Sequence, residues 1–157
     1  MSAVIVSLRV KATPQEAFDA FTQDIATWWR PNGLFALTPR GDGVLRFEAG
    51  QGGRLVTDLP NGTVFEIGRV SAWRPGERLA FTWRAATFAA DQVTTVEIRF
   101  EPVGDETRVT VEHRGWDMIP QDHVARHGFP LAATQMRLSE HWRALLAALA
   151  ARIVARP

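Results

Sequence analysis

From Leu131 to Ala155 the chain contains neither glycine nor proline, and apolar residues return there at the spacing of one helical face. At about 100° per residue, Leu131, Gln135, Leu138, Trp142, Leu145, Leu146, Leu149 and Ile153 share a side, while Arg137, Glu140, Arg143 and Arg152 lie away from its centre. The spacing predicts a long helix over 131–155 that rests on apolar surface along its whole length. The preceding chain must supply that surface.

What precedes it is mostly strand pattern. Val4, Val6, Leu8 and Val10 share one parity, with Ser7, Arg9 and Lys11 on the other, as a half-buried strand requires. Thr13-Pro14-Gln15-Glu16 then reads as a helix start: an N-cap threonine, a proline at the first helical position, and a glutamate that can reach back to the cap. Ala17, Phe18, Phe21, Ile25, Trp28 and Trp29 continue at three- and four-residue spacing, giving a helix or two short helices, and Pro31, Asn32 and Gly33 stop it. From Val44 to Trp116 strands alternate with turn residues at Gly50-Gln51-Gly52-Gly53, Pro60-Asn61-Gly62, Pro75-Gly76 and Gly104-Asp105. The predicted strands cover about 43–49, 53–59, 63–74, 77–86, 92–102 and 106–116. Successive hairpins make the sheet antiparallel, and the first strand brings it to seven. The expected fold is α+β: a curved seven-stranded antiparallel sheet around a long C-terminal helix, two short helices after strand one, and one domain over 1–157.

Composition removes several functions. A formal net charge of +1 offers no broad electrostatic footprint for nucleic acid or an anionic membrane. The chain has no cysteine, which excludes disulfides, thiolate metal sites and a cysteine nucleophile, and suits a reducing cytoplasm. No apolar run is long enough to span a bilayer, and Met1 to Lys11 alternates like a strand rather than a signal peptide. Lys11 is the only lysine; the arginine bias reads as base composition without functional meaning. Asp122, His123 and His127 have the spacing of a weak metal site, but three such residues in a polar connector are common and Arg126 weighs against one, so no metal and no cofactor is expected. Gly50-Gln51-Gly52-Gly53 leads into strand-like Leu55 and Val56, so it is a hairpin turn and not a phosphate loop. No serine sits in a nucleophile-elbow context.

A strongly curved sheet cannot touch a straight helix everywhere, and the gap between them is where an apolar cavity with a few polar groups can form. Glycines at bends assist the curl. Strand parity nominates the lining: Leu79, Phe81 and Trp83; Val96, Ile98 and Phe100; Val109, Val111 and His113. The expected ligand-binding set draws Phe47, Leu55, Phe81, Trp83, Ile98 and Val111 from the strands. It is completed by Trp29, Phe35, His113, Trp116, Leu138 and Trp142. Each aromatic alone is also accounted for by an ordinary core. His113 has two readings, a core histidine satisfied by hydrogen bonds or a polar anchor and acid/base for a ligand. Glu66 poses the same question, because parity alone does not tell whether it faces inward, where a carboxylate would need a partner or a raised pKa.

Four segments in order, "VKATPQEAFDAFTQDIATWW" at 10–29, "GGRL" at 52–55, "GRVSAWRPGERLAFTWR" at 68–84 and "TTVEIRFEPVGDETRVTVEHRGW" at 94–116, followed by the terminal helix, resemble the START/birch-pollen-allergen-like (SRPBCC) helix-grip superfamily. Within it the chain is similar to the C-terminal domain of the heat-shock-protein-90 ATPase activator. The resemblance implies a sheet gripping the last helix, a hydrophobic pocket used by members for lipids, sterols, polyketides or aromatic compounds, and Trp83, His113 and Trp116 at or near it. It implies no shared catalytic set. The function expected is binding of a small hydrophobic molecule by a monomer or homodimer, without nucleic acid or membrane insertion. Alternatives are a cyclase, dehydratase or hydrolase using His113 or Glu66, and a chaperone-ATPase-regulating module.

Overall fold

The computed structural model describes residues 3–30, 34–35, 43–85 and 87–156. The stop at Pro31-Asn32-Gly33 lies outside them, as does residue 86 at the end of one predicted strand. The order is β1 (Ala3–Val10), α1 (Pro14–Gln23), α2 (Ile25–Trp28), β2 (Val44–Phe47), β3 (Arg54–Asp58), β4 (Val64–Arg74), β5 (Arg78–Trp83), β6 (Thr94–Val103), β7 (Glu106–Arg114) and α3 (Leu131–Ala155). The seven strands form one sheet in the order β1-β7-β6-β5-β4-β3-β2, every pair antiparallel. The first strand therefore sits beside the last, and the helical pair α1–α2 carries the chain from one edge of the sheet to the other.

Local signals account for most of this. Thr13 Oγ1 accepts from Glu16 N at 3.1 Å while Glu16 Oε1 accepts from Thr13 N at 2.9 Å, the reciprocal cap that starts α1. The helical run divides at Asp24, and Trp28 of the second segment donates from Nε1 to Ala20 O at 3.1 Å, locking α2 onto α1.

The sheet does not run flat. Its register shifts between Leu55 and Val56 of β3 against β4, and between Val70 and Ala72 of β4 against β5. Such irregularities bend and twist a strand. Gly68 lies between them, and a Cβ there would come within 1.6 Å of Thr82 O, so only glycine permits this approach of β4 to β5.

α3 packs against β1, α1 and α2, so the sheet and the helical pair grip it from both sides. Its buried residues are Thr134, Leu138, His141, Trp142, Leu145, Leu146, Leu149 and Ile153. This is the predicted face, with Thr134 and His141 added and Leu131 and Gln135 only partly covered. The opposite face of the sheet carries charge: Glu97, 8% exposed, receives Arg78 Nε at 2.8 Å and Arg99 Nη2 at 2.8 Å. No helix among the described residues is long and apolar enough to cross a membrane.

Candidate functional site between sheet and terminal helix

β7 alternates inward Val109 and Val111 with outward Thr110 and Glu112, which delivers His113 to the buried face beside Val96 of β6 and Val4 of β1. Its imidazole is 2% exposed and hydrogen-bonded at both nitrogens. Trp142 Nε1 lies 3.0 Å from Nδ1, and an indole nitrogen only donates, so Nδ1 accepts and the ring proton sits on Nε2. Nε2–H then donates to Thr94 Oγ1 at 2.8 Å, and Thr94 Oγ1–H donates to Trp83 O at 2.9 Å. This directed chain runs from α3 through β7 and β6 to β5, with each of its donors matched to an acceptor. Burial, and secondarily the nearness of His141, lowers the His113 pKa from 6.5 to about 3. Burial also lowers His141 to about 4. Both rings are neutral at pH 7.

Around this chain the aromatic side chains pack against one another in series. Trp29 and Trp142 have ring centroids 5.5 Å apart, Trp142 and His113 6.1 Å, and His113 and Trp116 6.2 Å. Trp116 and Phe35 follow at 5.7 Å, Phe35 stacks on His141 at 5.4 Å, and His141 returns to Trp29 at 6.3 Å. Six rings thus close a circuit that takes members from the end of α2, the segment after it, β7, the turn beyond β7, and α3. Trp83 and Phe88 back it, each 5.7 Å from Trp116. Aromatic pairs at such spacings add about 0.5–1.5 kcal/mol each beyond burial.

Two local devices hold Trp116 there. Gly115 has φ 106°, a conformation glycine adopts without strain, and this turns the chain sharply out of β7 into a single 3-10 turn over Trp116–Met118. Downstream, the 4%-exposed Arg126 donates from Nη1 to Ile119 O at 2.6 Å, from Nη2 to Phe129 O at 2.7 Å and from Nε to Thr134 Oγ1 at 3.0 Å. One guanidinium therefore ties the connector to the first turn of α3.

The circuit contains an unmet demand. The indole nitrogens of Trp29 and Trp116 are buried and have no hydrogen-bond partner; Arg84 Nε, beside Phe88, is a third such donor. A buried donor left unsatisfied costs about 1–3 kcal/mol.

The structure brings Trp29, Phe35, His113, Trp116 and Trp142 of the expected set into the circuit, with Trp83 against it. Leu55, Ile98, Val111 and Leu138 belong to the same continuous core. Phe47 and Phe81 pair at 5.4 Å in a neighbouring group with Phe21 and Trp73, under α1. Glu66 does not join the circuit. Phe65 and Ile67 turn toward the core, and the carboxylate between them pairs with Arg69 at 3.2 Å and Arg54 at 3.9 Å. His123 and His127 flank a 3-10 turn instead of sharing a helical face, and their Nε2 atoms contact Thr87 O at 3.1 Å and Leu34 O at 2.8 Å.

His141, Phe88, Thr94 and Arg126 were not anticipated. His141 was accessible from helical spacing, standing three residues after Leu138 and four before Leu145. Thr94 shares parity with Val96 and Ile98. Phe88 and Arg126 sit in irregular segments that carry no periodicity.

The sequence profile described as "Activator of Hsp90 ATPase homolog 1-like protein" matches residues 11–153. No curated protein sequence matches the chain. Among solved structures, a Mesorhizobium loti protein is similar at TM-score 0.66 and 21% identity, covering 99% of this chain and 98% of its own. An HSP90 activator from Plasmodium falciparum is similar at 0.59 and 17%, covering 90% and 88%. DynU16, from the dynemicin biosynthetic locus, is similar at 0.63 and 21%, with 96% of this chain covering 46% of that one, so this chain spans about half its length. At these identities the likeness is one of fold.

Proposed function

The chain belongs to the family of activator of Hsp90 ATPase homolog 1-like proteins, and from that premise we propose that it binds a small hydrophobic, ring-containing molecule between the sheet and α3. The observation that carries this reading is the pair of buried indole donors, on Trp29 and Trp116, without acceptors in the aromatic part of the core between sheet and helix. A ligand oxygen would relieve that cost, while apolar burial would contribute about 25 cal/mol per Å² removed from water.

The hydrogen-bond chain favours binding over acid–base catalysis. His113 has neither a free lone pair nor a free proton to offer, and Glu66 lies apart from the aromatic circuit in ion pairs. A ligand that binds the native state raises Tm with concentration. Thermal unfolding against a panel of neutral aromatic and polyketide-like compounds is therefore expected to give saturable, stoichiometric shifts. No shift across a broad apolar panel would remove the reading.

The likeness to the Plasmodium HSP90 activator supports a second reading, regulation of a chaperone ATPase. That reading expects the protein to change the ATPase rate of an Hsp90. A flat response over a wide range of protein concentration would end it.

A further inference from the structure

On the sheet face turned away from the core, the ladder sets three arginines side by side. Arg99 of β6 is the register partner of Arg78 of β5, and Arg78 is the register partner of Arg74 of β4. Parity fixes the face, because Leu79, Ile98 and Phe100, the chain neighbours of Arg78 and Arg99, are buried in the core. Residues directly opposite on adjacent strands hold their Cβ atoms about 4.5–5.5 Å apart, and like charges placed so repel.

One carboxylate serves the row. Glu97 accepts from Arg78 Nε and pairs with Arg99 Nη2, each at 2.8 Å, and its side chain is 10% exposed against 40% for Arg78 and 61% for Arg99. The negative charge therefore lies underneath and the guanidiniums face water. Arg74 is exposed and has no ion-pair partner among the described residues, Glu77 in the adjoining turn included. The row keeps an excess of positive charge and guanidinium N–H donors that nothing in the chain uses.

Its surroundings select among anions. Glu112 stands opposite Glu97, and Glu101 follows two residues after Arg99 on the same face. A nucleic-acid backbone or an anionic bilayer, with continuous charge, would press phosphates against these carboxylates. A protein segment can set its own carboxylates on the row alone. Two strand spacings make the row about 9.6 Å long, and helix positions i, i+4 and i+7 share a face over about 10.5 Å.

We propose that the Arg74–Arg78–Arg99 row docks an acidic helical segment of a partner protein, each guanidinium taking one carboxylate. This surface is separate from the core between sheet and α3, so its test is independent of the binding function proposed above.

The probe is a fluorescein-labelled, alanine-based helical peptide with glutamates at i, i+4 and i+7, followed by anisotropy at about 20 mM salt. It is compared with an isomer that spreads the same glutamates around the helix and with an oligothymidylate of equal charge. The aligned peptide is expected to bind about threefold or more tighter than either, and to be released as salt rises. Arg74→Glu is expected to weaken it about fivefold or more, whereas Arg143→Glu, the same charge change on the exposed surface of α3, shifts it less than about twofold. Arg99→Gln, which leaves Glu97 its bond to Arg78, is expected to lose about two- to fivefold. Equal affinity for the isomer, or equal losses at Arg74 and Arg143, would reduce the effect to general charge attraction and overturn the proposal. Tighter oligothymidylate would assign the row to phosphate and overturn it too, as would no binding of the aligned peptide at low salt.

Discussion

Lowering the pH from about 7.5 to about 5 is expected to cost this protein about 4 kcal/mol of stability, through two histidines. An unfolded histidine titrates near 6.5, whereas burial holds His113 at about 3 and His141 at about 4 in the native state. The native state therefore binds fewer protons than the unfolded chain, and its stability is fully present above the unfolded pKa and falls as pH drops toward the native values. At pH 5 the unfolded side chain is protonated by about thirty to one and the native one remains mostly neutral, which amounts to about 2 kcal/mol for each histidine. The carboxylate of Glu48, held at about 2 chiefly by its hydrogen bonds to Arg54, titrates below this window. Urea denaturation at pH 7.5, 6 and 5 measures the loss directly, and His113→Gln isolates one contributor. Glutamine offers an acceptor to Trp142 and a donor to Thr94 but does not titrate, so the variant should retain only about half of the acid-induced loss. An unchanged pH slope in His113→Gln, or a wild type whose stability stays level to pH 5, would refute the assigned neutral, fully bonded imidazole.

Gly68→Ala places a methyl 1.6 Å from Thr82 O, which the backbone can relieve only by parting β4 from β5. A loss exceeding about 3 kcal/mol in urea denaturation is expected, and a neutral substitution would show that the strands do not cross this closely. Arg126→Met strips the hydrogen bonds from Ile119 O, Phe129 O and Thr134 Oγ1. A loss of about 2–3 kcal/mol is expected, and a change below about 0.5 kcal/mol would dismiss the arginine as the tie between connector and helix.

Much of the architecture is legible in the residues because it follows simple periods. The alternation of Val4, Val6, Leu8 and Val10, the reciprocal cap of Thr13 and Glu16, and the unbroken run from Leu131 all lead directly to observed elements. Glu66 resisted for a physical reason. Two register shifts lie between it and Trp73, one between Glu66 and Gly68 and one between Val70 and Ala72, so parity cannot be carried back along β4 from Trp73. The rings of the candidate site are legible in the residues and its polarity is not. The residues name His113 and Trp142 as candidates, but their mutual hydrogen bond joins positions 29 apart in the chain and depends on how α3 lies across β7. The same holds for the unmet donors of Trp29 and Trp116. An orphaned group is a property of its surroundings, which no local pattern encodes.

The proposed binding site is tested most directly by the indole N–H resonances of the 15N-labelled protein, recorded while titrating the tightest binder of the apolar panel. The signals of Trp29 and Trp116 should move progressively to saturation, while that of Trp73, in the neighbouring aromatic group under α1, stays in place. Saturation with Trp29 and Trp116 unmoved would contradict the account, because the ligand would then lie elsewhere.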